Sequence, residues 1–191
     1  YFECIHTSGK RLLALINDQL DMSRMEANKM AYDKRPHALK VTTSNAVAEI
    51  SPLLAAKKIA VKISDSSPEQ VLIYDEARMT QVLVNLLDNA IKHSPYGGTI
   101  QIRFINEQKL ANSTPAAGFC IRDNGPGIAS NDLDRIFEVF TQGSDPAAGG
   151  SGLGLAISRQ IVHDHGGSIT ASNHADGGAL FTIMLPATPA F

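Results

Sequence analysis

Asn85-Leu86-Leu87-Asp88-Asn89-Ala90-Ile91-Lys92-His93 decides how this chain is read. Asn85, Asn89, Lys92 and His93 recur at helical spacing and so share one face of a helix. Two neutral carboxamides and one ammonium on a single face suit a magnesium polyphosphate. Carboxamide oxygens can ligate Mg²⁺, and a lysine supplies a point charge for phosphate. A solvent-exposed polar stripe is the competing reading of this stretch alone.

Working outward, Asp75 is placed to cap this helix, which runs to about Lys92. Val71-Leu72-Ile73-Tyr74 before it reads as a short strand, and Ile59 to Ile63 alternates as another. Further upstream the pattern predicts a strand over His37 to Val41 and a helix over Thr43 to Lys57, which Pro52 kinks or shortens. Downstream, Thr99 to Phe104 and Ala117 to Arg122 read as hairpin partners around a polar loop, Asn106 to Pro115. Leu153 to His165 is helical, and Ser168 to Ser172 with Leu180 to Leu185 closes the chain as a hairpin. This order of elements predicts a two-layer α/β sandwich with a mixed, largely antiparallel sheet.

The first stretch is different. Ile5, Leu12, Leu13, Leu15, Ile16, Leu20, Met22 and Met25 recur at three, four and seven. That apolar stripe is too wide for one surface and predicts a single long helix taken from a helical bundle. Met30 to Pro36 reads as a polar joint. The expected division is therefore residues 1–30 as part of a helical domain and residues 31–191 as one compact domain.

Composition narrows the function. The chain has 191 residues, 43% of them apolar, enough for one core with an appendage. Net charge is −2 with both signs mixed, so no nucleic-acid arm stands out. Cys4 and Cys120 form no CxxC pair, which argues against a metal cluster or disulfide framework and fits a reducing compartment. Cys120, within Phe119-Cys120-Ile121, reads as a buried structural thiol. No apolar stretch approaches the ~20 residues that span a bilayer. The opening on Tyr1, inside a helical pattern, reads as a piece of a longer protein.

Three further elements carry chemistry. Asp123-Asn124-Gly125-Pro126-Gly127-Ile128 follows a strand, and its glycines force a tight path close to something bulky. An acid at that strand end can accept the proton of an exocyclic amine. Gly149-Gly150-Ser151-Gly152-Leu153-Gly154-Leu155 opens a helix, where bare N–H groups and the helix field favour phosphate. It lacks the GK[ST] of a P-loop and follows no βαβ strand, which excludes a Walker site and a Rossmann fingerprint. Arg135-Ile136-Phe137-Glu138-Val139-Phe140 places Phe137 and Phe140 three apart, either as anchors of a lid or as plain core residues.

Together these four stretches resemble, in order, the N, G1, F and G2 boxes of sensor histidine kinases. His165-Gly166-Gly167 and Gly177-Gly178-Ala179-Leu180-Phe181-Thr182 are similar to that domain's closing segments, and Ser8 to Glu26 resembles the second helix of the dimerisation and phosphotransfer domain. The resemblance implies a Bergerat ATP-binding fold. It implies that Asn89, assisted by Asn85, ligates Mg²⁺, that Lys92 contacts phosphate, and that His93 lies near the nucleotide. Asp123 would take the adenine amine, with Gly125 and Gly127 at close approach. Gly150, Gly152, Leu153 and Gly154 would cradle the phosphates, and Phe137 and Thr182 complete the implied cofactor contacts.

Two departures stand out. Asp145-Pro146-Ala147-Ala148 takes the place where many relatives carry a basic lid residue, and Ala179 stands where a Ser or Thr is common. Related ATPases of the gyrase and chaperone type place a Glu where Asn85 stands. A carboxamide cannot activate water, so the resemblance favours phosphoryl transfer to a protein over hydrolysis. A relative that binds ATP only as a regulatory ligand is the other alternative. The implied partners are ATP, an acceptor histidine upstream in the same or the partner subunit of a homodimer, and a response regulator or phosphotransfer protein. No nucleic acid is implied. The implied setting is cytoplasmic, with any membrane anchor lying outside this stretch. Neither His6 nor any of His37, His93, His163, His165 and His174 has the context of the family's acceptor.

Overall fold

The computed structural model describes residues 2–27, 30–64, 69–133, 135–139 and 152–187. In chain order the elements are α1 (Phe2–Glu26), β1 (Arg35–Ala38), α2 (Leu39–Glu49), α3 (Ser51–Ala56), β2 (Ala60–Ser64), β3 (Val71–Tyr74) and α4 (Glu76–His93). β4 (Thr99–Lys109), β5 (Pro115–Arg122), α5 (Gly154–Asp164), β6 (Ser168–Asn173) and β7 (Ala179–Pro186) follow.

Five strands form one sheet in the order β2-β4-β5-β7-β6. β2 runs parallel to β4 and every other pair is antiparallel, so the sheet is mixed as expected. β1 and β3 make a separate antiparallel pair. Strand alternation sends Ile100, Ile102 and Phe104 of β4, Ala117, Phe119 and Ile121 of β5, and Phe181, Ile183 and Leu185 of β7 into the core. Against them lies the apolar face of α4: Met79, Val82, Leu83, Leu86, Leu87, Ala90 and Ile91. α5 adds Ile157, Ile161 and Val162. The result is the α/β sandwich of the Bergerat type, with a helix leading into it.

Three boundaries differ from the sequence reading. Leu39, Lys40 and Val41 belong to α2 rather than to the first strand, which starts earlier at Arg35. Leu39 is buried and its N–H reaches Gln70 O at 3.0 Å, while the Thr43 hydroxyl bonds back to Leu39 O at 2.8 Å within the helix. The expected single helix is two: Pro52 sits in the first turn of α3, where its missing N–H costs nothing. The expected polar loop at Asn106 shrinks to residues 110–114, because β4 carries on past a register shift between Ile105 and Gln108.

α1 is fastened to this body at its far end. Asp21 is buried and takes hydrogen bonds from Arg78 Nη1 (2.7 Å) and Gln81 Nε2 (3.0 Å), both on α4. The joint continues the attachment. Tyr32 Oη donates to Asp164 Oδ2 (2.7 Å), Lys34 Nζ to Asp164 O (2.7 Å), and Asp33 N to Asp75 Oδ2 (2.9 Å). Burial and the neighbouring Asp164 push the Tyr32 phenol well above its ordinary range.

His165 closes the same corner. Asp75 N–H donates to its Nε2 at 3.0 Å, so that nitrogen must carry the lone pair. The proton therefore sits on Nδ1, which faces Ile161 O at 2.7 Å. Burial holds the ring's pKa below 6.5, helped by Lys34 and opposed by the Ile161 hydrogen bond, Asp75 and Asp164. A depressed histidine binds its proton more readily unfolded than folded, so it favours the fold fully above pH 6.5 and progressively less below. Urea unfolding should show stability falling as pH drops from 6.5 towards the folded-state value, with a shallower slope in His165→Gln. An unchanged slope in that variant would remove His165 as the cause.

Candidate nucleotide site

α4 starts on Asp75, whose side chain accepts from Arg78 N at 3.1 Å. It continues unbroken to His93, so the polar stripe stays in phase with the buried one. Asn85 and Asn89 are half-buried beside the core face, and Lys92 and His93 are exposed. From Asn85 to His93 the helix rises ~12 Å, the scale of an extended nucleotide.

At the His93 end, the carbonyl of His93 lies 2.7 Å from where a Cβ on Gly125 would sit. Only glycine fits there. Asp123 follows directly on β5, is almost wholly buried, and has Oδ1 doubly committed, to Gly125 N (2.8 Å) and Ala179 N (3.0 Å). Asp123 N in turn donates to Ala179 O at 3.1 Å. Its second oxygen has no hydrogen-bond partner among the described residues. Two N–H groups on one oxygen fix the carboxylate plane and leave the other oxygen as an acceptor for a ligand's N–H. Gly127 has φ +81° and Gly178 φ +85°, conformations that favour glycine. A Cβ on Gly178 would stand 1.9 Å from Asp123 O.

At the other end, Asn85 Nδ2 donates to Gly154 O (3.2 Å) and Ser158 Oγ (3.4 Å), tying α4 to the start of α5. Its carbonyl oxygen accepts no hydrogen bond among the described residues. Gly152 has φ +68° and Leu153 is buried, so the backbone turns into α5 around an apolar anchor. α5 opens beside Asn85, and the first turn of a helix suits an anion. The Asn89 side chain, one turn from Asn85, makes no hydrogen bond among the described residues. Lys92 Nζ pairs with Asp88 at 2.6 Å, so a phosphate would compete with Asp88 for it. Lys57 Nζ caps the helix at Ile91 O (2.7 Å) and Lys92 O (2.8 Å).

On the far side Asn85 also lines a groove of about 570 Å³ between α2 and α4. Glu49 and Glu76 line it too, and two carboxylates repel a polyphosphate, so the α5 side suits phosphate better.

The structure thus brings together Asn85, Asn89, Lys92, His93, Asp123, Gly125, Gly127, Gly152, Leu153 and Gly154. Gly150 and the lid from Thr141 to Gly149 lie outside the described residues, as does Phe140. Two expected residues are placed apart. Thr182 pairs with Cys120 and Thr170 and alternates with the core residues Phe181 and Ile183, so it faces away from the helices. Phe137 packs edge-on against the Phe181 ring at 6.3 Å, which makes it an apolar anchor. Asn173 was missed by sequence reasoning: it bonds the backbone of Ile128, 45 residues away, and no local spacing announces that.

Residues 74–189 match the model of the histidine kinase-, DNA gyrase B- and HSP90-like ATPase family. The chain is 34% identical over 190 residues to hybrid signal transduction histidine kinase D of Dictyostelium discoideum, covering 98% of this chain and 12% of that protein. It is 33% identical over 191 residues to the circadian input-output histidine kinase CikA of Synechococcus elongatus, covering 97% of this chain and 24% of that protein. Its fold follows full-length ShkA in complex with AMPPNP with a TM-score of 0.82 at 30% identity, over 100% of this chain and 39% of that one. The chain therefore belongs to the histidine kinase-, DNA gyrase B- and HSP90-like ATPase family. Within that family it carries the ATP-binding catalytic domain of a sensor histidine kinase. It spans well under half the length of these relatives.

Proposed function

We propose that this domain binds Mg-ATP along α4 and passes the γ-phosphoryl group to a histidine on a helix upstream of residue 1, for relay to a response regulator. The observation that carries the reading is Asp123, with one carboxylate oxygen locked by Gly125 and Ala179 and the other open. It would accept the adenine amine. His93 and Gly125 would flank the base, and Gly152, Gly154 and the α5 N-terminus would take the phosphates. Asn89 would hold the metal, with Asn85 Oδ1 assisting. When bound, Mg²⁺ would neutralise phosphate charge. Lys92 would leave Asp88 for phosphate. ShkA, 30% identical, has been solved with AMPPNP, which supports nucleotide binding by this chain.

Hydrolysis as the main activity fits less well. Asn85 stands where a water-activating carboxylate is needed, and its amide is engaged with Gly154 O. A purely regulatory ATP site is the outcome if transfer fails while binding succeeds. Leu12, Leu13, Leu15, Ile16 and Leu20 are exposed on α1, which supports a homodimer formed through that helix. ATP as phosphoryl donor supports a cytoplasmic setting.

Radiolabelled Mg-ATP tests the transfer. This chain alone should stay unlabelled, and a longer chain with the preceding helix should gain an acid-labile, base-stable phosphate. Positioning supplies most of the catalysis, so the expected contrast is all or none. Labelling of this chain that disappears in His6→Ala would place the acceptor on α1 instead.

A further inference from the structure

We propose that Asn173 is a positioning residue of the base-binding end of the site, acting through Ile128. The inference rests on the ATP-binding reading above and adds a residue outside the four sequence boxes.

Asn173 is the last residue of β6. Its Oδ1 accepts from Ile128 N at 2.7 Å and its Nδ2 donates to Ile128 O at 2.7 Å. One side chain thus satisfies both backbone groups of Ile128, as a neighbouring strand would. The segment it holds needs holding. Gly125-Pro126-Gly127 has no regular partner strand, and glycines lose the most conformational freedom on ordering. Gly127 is fitted to this contact, since a Cβ there would lie 2.6 Å from Asn173 Oδ1. The Ile128 side chain packs on the core, so fixing its backbone fixes the wall beside Asp123.

The same residue is in register with the other wall. Asn173 pairs with Ala179 in the β6–β7 ladder. Ala179 exchanges hydrogen bonds with Asp123, donating to Oδ1 at 3.0 Å and accepting from Asp123 N at 3.1 Å. Asn173 therefore sets the spacing between Asp123 and the Gly127–Ile128 backbone across a single cross-strand row. A ligand base that meets Asp123 must fit that spacing. The phosphate end, some two helical turns away along α4, does not depend on it.

Calorimetric titration with Mg-ATP and with Mg-tripolyphosphate, on the wild-type chain, Asn173→Ala and Asn173→Asp, tests this, with amide exchange at Ile128 read in parallel. Asn173→Ala should bind ATP about tenfold more weakly and tripolyphosphate unchanged, and the Ile128 amide should exchange faster. Asn173→Asp keeps the acceptor for Ile128 N–H but loses the donor, so it should lose about threefold. Unchanged ATP affinity in Asn173→Ala, equal loss for ATP and tripolyphosphate, or unchanged exchange at Ile128 would each overturn the proposal. Failure of the wild-type chain to bind ATP would instead overturn the reading beneath it.

Discussion

Asp123→Asn is expected to weaken ATP binding roughly 30- to 150-fold while leaving the fold nearly as stable. Gly125 N–H and Ala179 N–H are both donors and both point at Oδ1, so an amide here must turn its oxygen towards them. Its NH₂ then takes the place of the open oxygen. Two donors face each other where a carboxylate had met the adenine amine, and a buried clash of that kind costs about 2–3 kcal/mol. Guanine carries a carbonyl at that position, so GTP should gain relative to ATP. Asp123→Ala should lose ATP affinity too, but would also strand two N–H groups and lower stability. Competition binding with both nucleotides gives the answer. Equal loss for ATP and GTP in Asp123→Asn would show that Asp123 does not read the base.

Gly178→Ala should unfold far more readily than Gly177→Ala. Both glycines have positive φ, +85° and +88°, so each alanine carries a conformational penalty of about 1–2 kcal/mol. At Gly177 nothing lies within 4 Å of the added carbon. At Gly178 the carbon would meet Asp123 O at 1.9 Å and Asp123 C at 2.8 Å, and backbone cannot swing aside as a side chain can. Overpacking adds about 1–3 kcal/mol, for a total near 2–5 kcal/mol. Because the displaced atoms belong to Asp123, nucleotide binding should fall as well. Chemical denaturation of the two variants measures the difference. Equal destabilisation would mean that the turn carries no close contact with Asp123.

The helix that organises the site was the most legible part of the chain. α4 is long, capped at Asp75, and carries its polar and apolar faces in strict phase, so both its limits and the shared face of Asn85, Asn89 and Lys92 could be read. The start of the domain was less legible. His37-Ala38-Leu39-Lys40-Val41 suits a strand by composition, and only the burial of Leu39 beside Gln70 shows why the chain coils there instead. Asn106 to Lys109 has the composition of a loop, and only the pairing of Gln108 and Lys109 with β5 shows the strand carrying on.

Within the site, the described residues read from local pattern lie on or beside α4, whereas the placement of Thr182 and Asn173 depends on sheet register. Thr182 lies next to two core residues in sequence, and the period of two alone turns it to the opposite face. Asn173 offers no signal at all until β6 and β7 are paired and the end of that row is seen to meet Ile128. Lys57, just past the end of α3, caps α4 through a contact between elements 34 and 35 residues apart, which no local spacing announces.

The central claim is that α4, Asp123 and the start of α5 form one Mg-ATP site. Thermal unfolding of this chain with ATP, with Mg²⁺ present and then withheld, tests it most directly. The account predicts stabilisation of about 2.7 kcal/mol at 100 times the dissociation constant with Mg²⁺, much less without it, and much less again in Asn89→Ala. No shift at millimolar Mg-ATP, or a shift indifferent to both Mg²⁺ and Asn89, would contradict it.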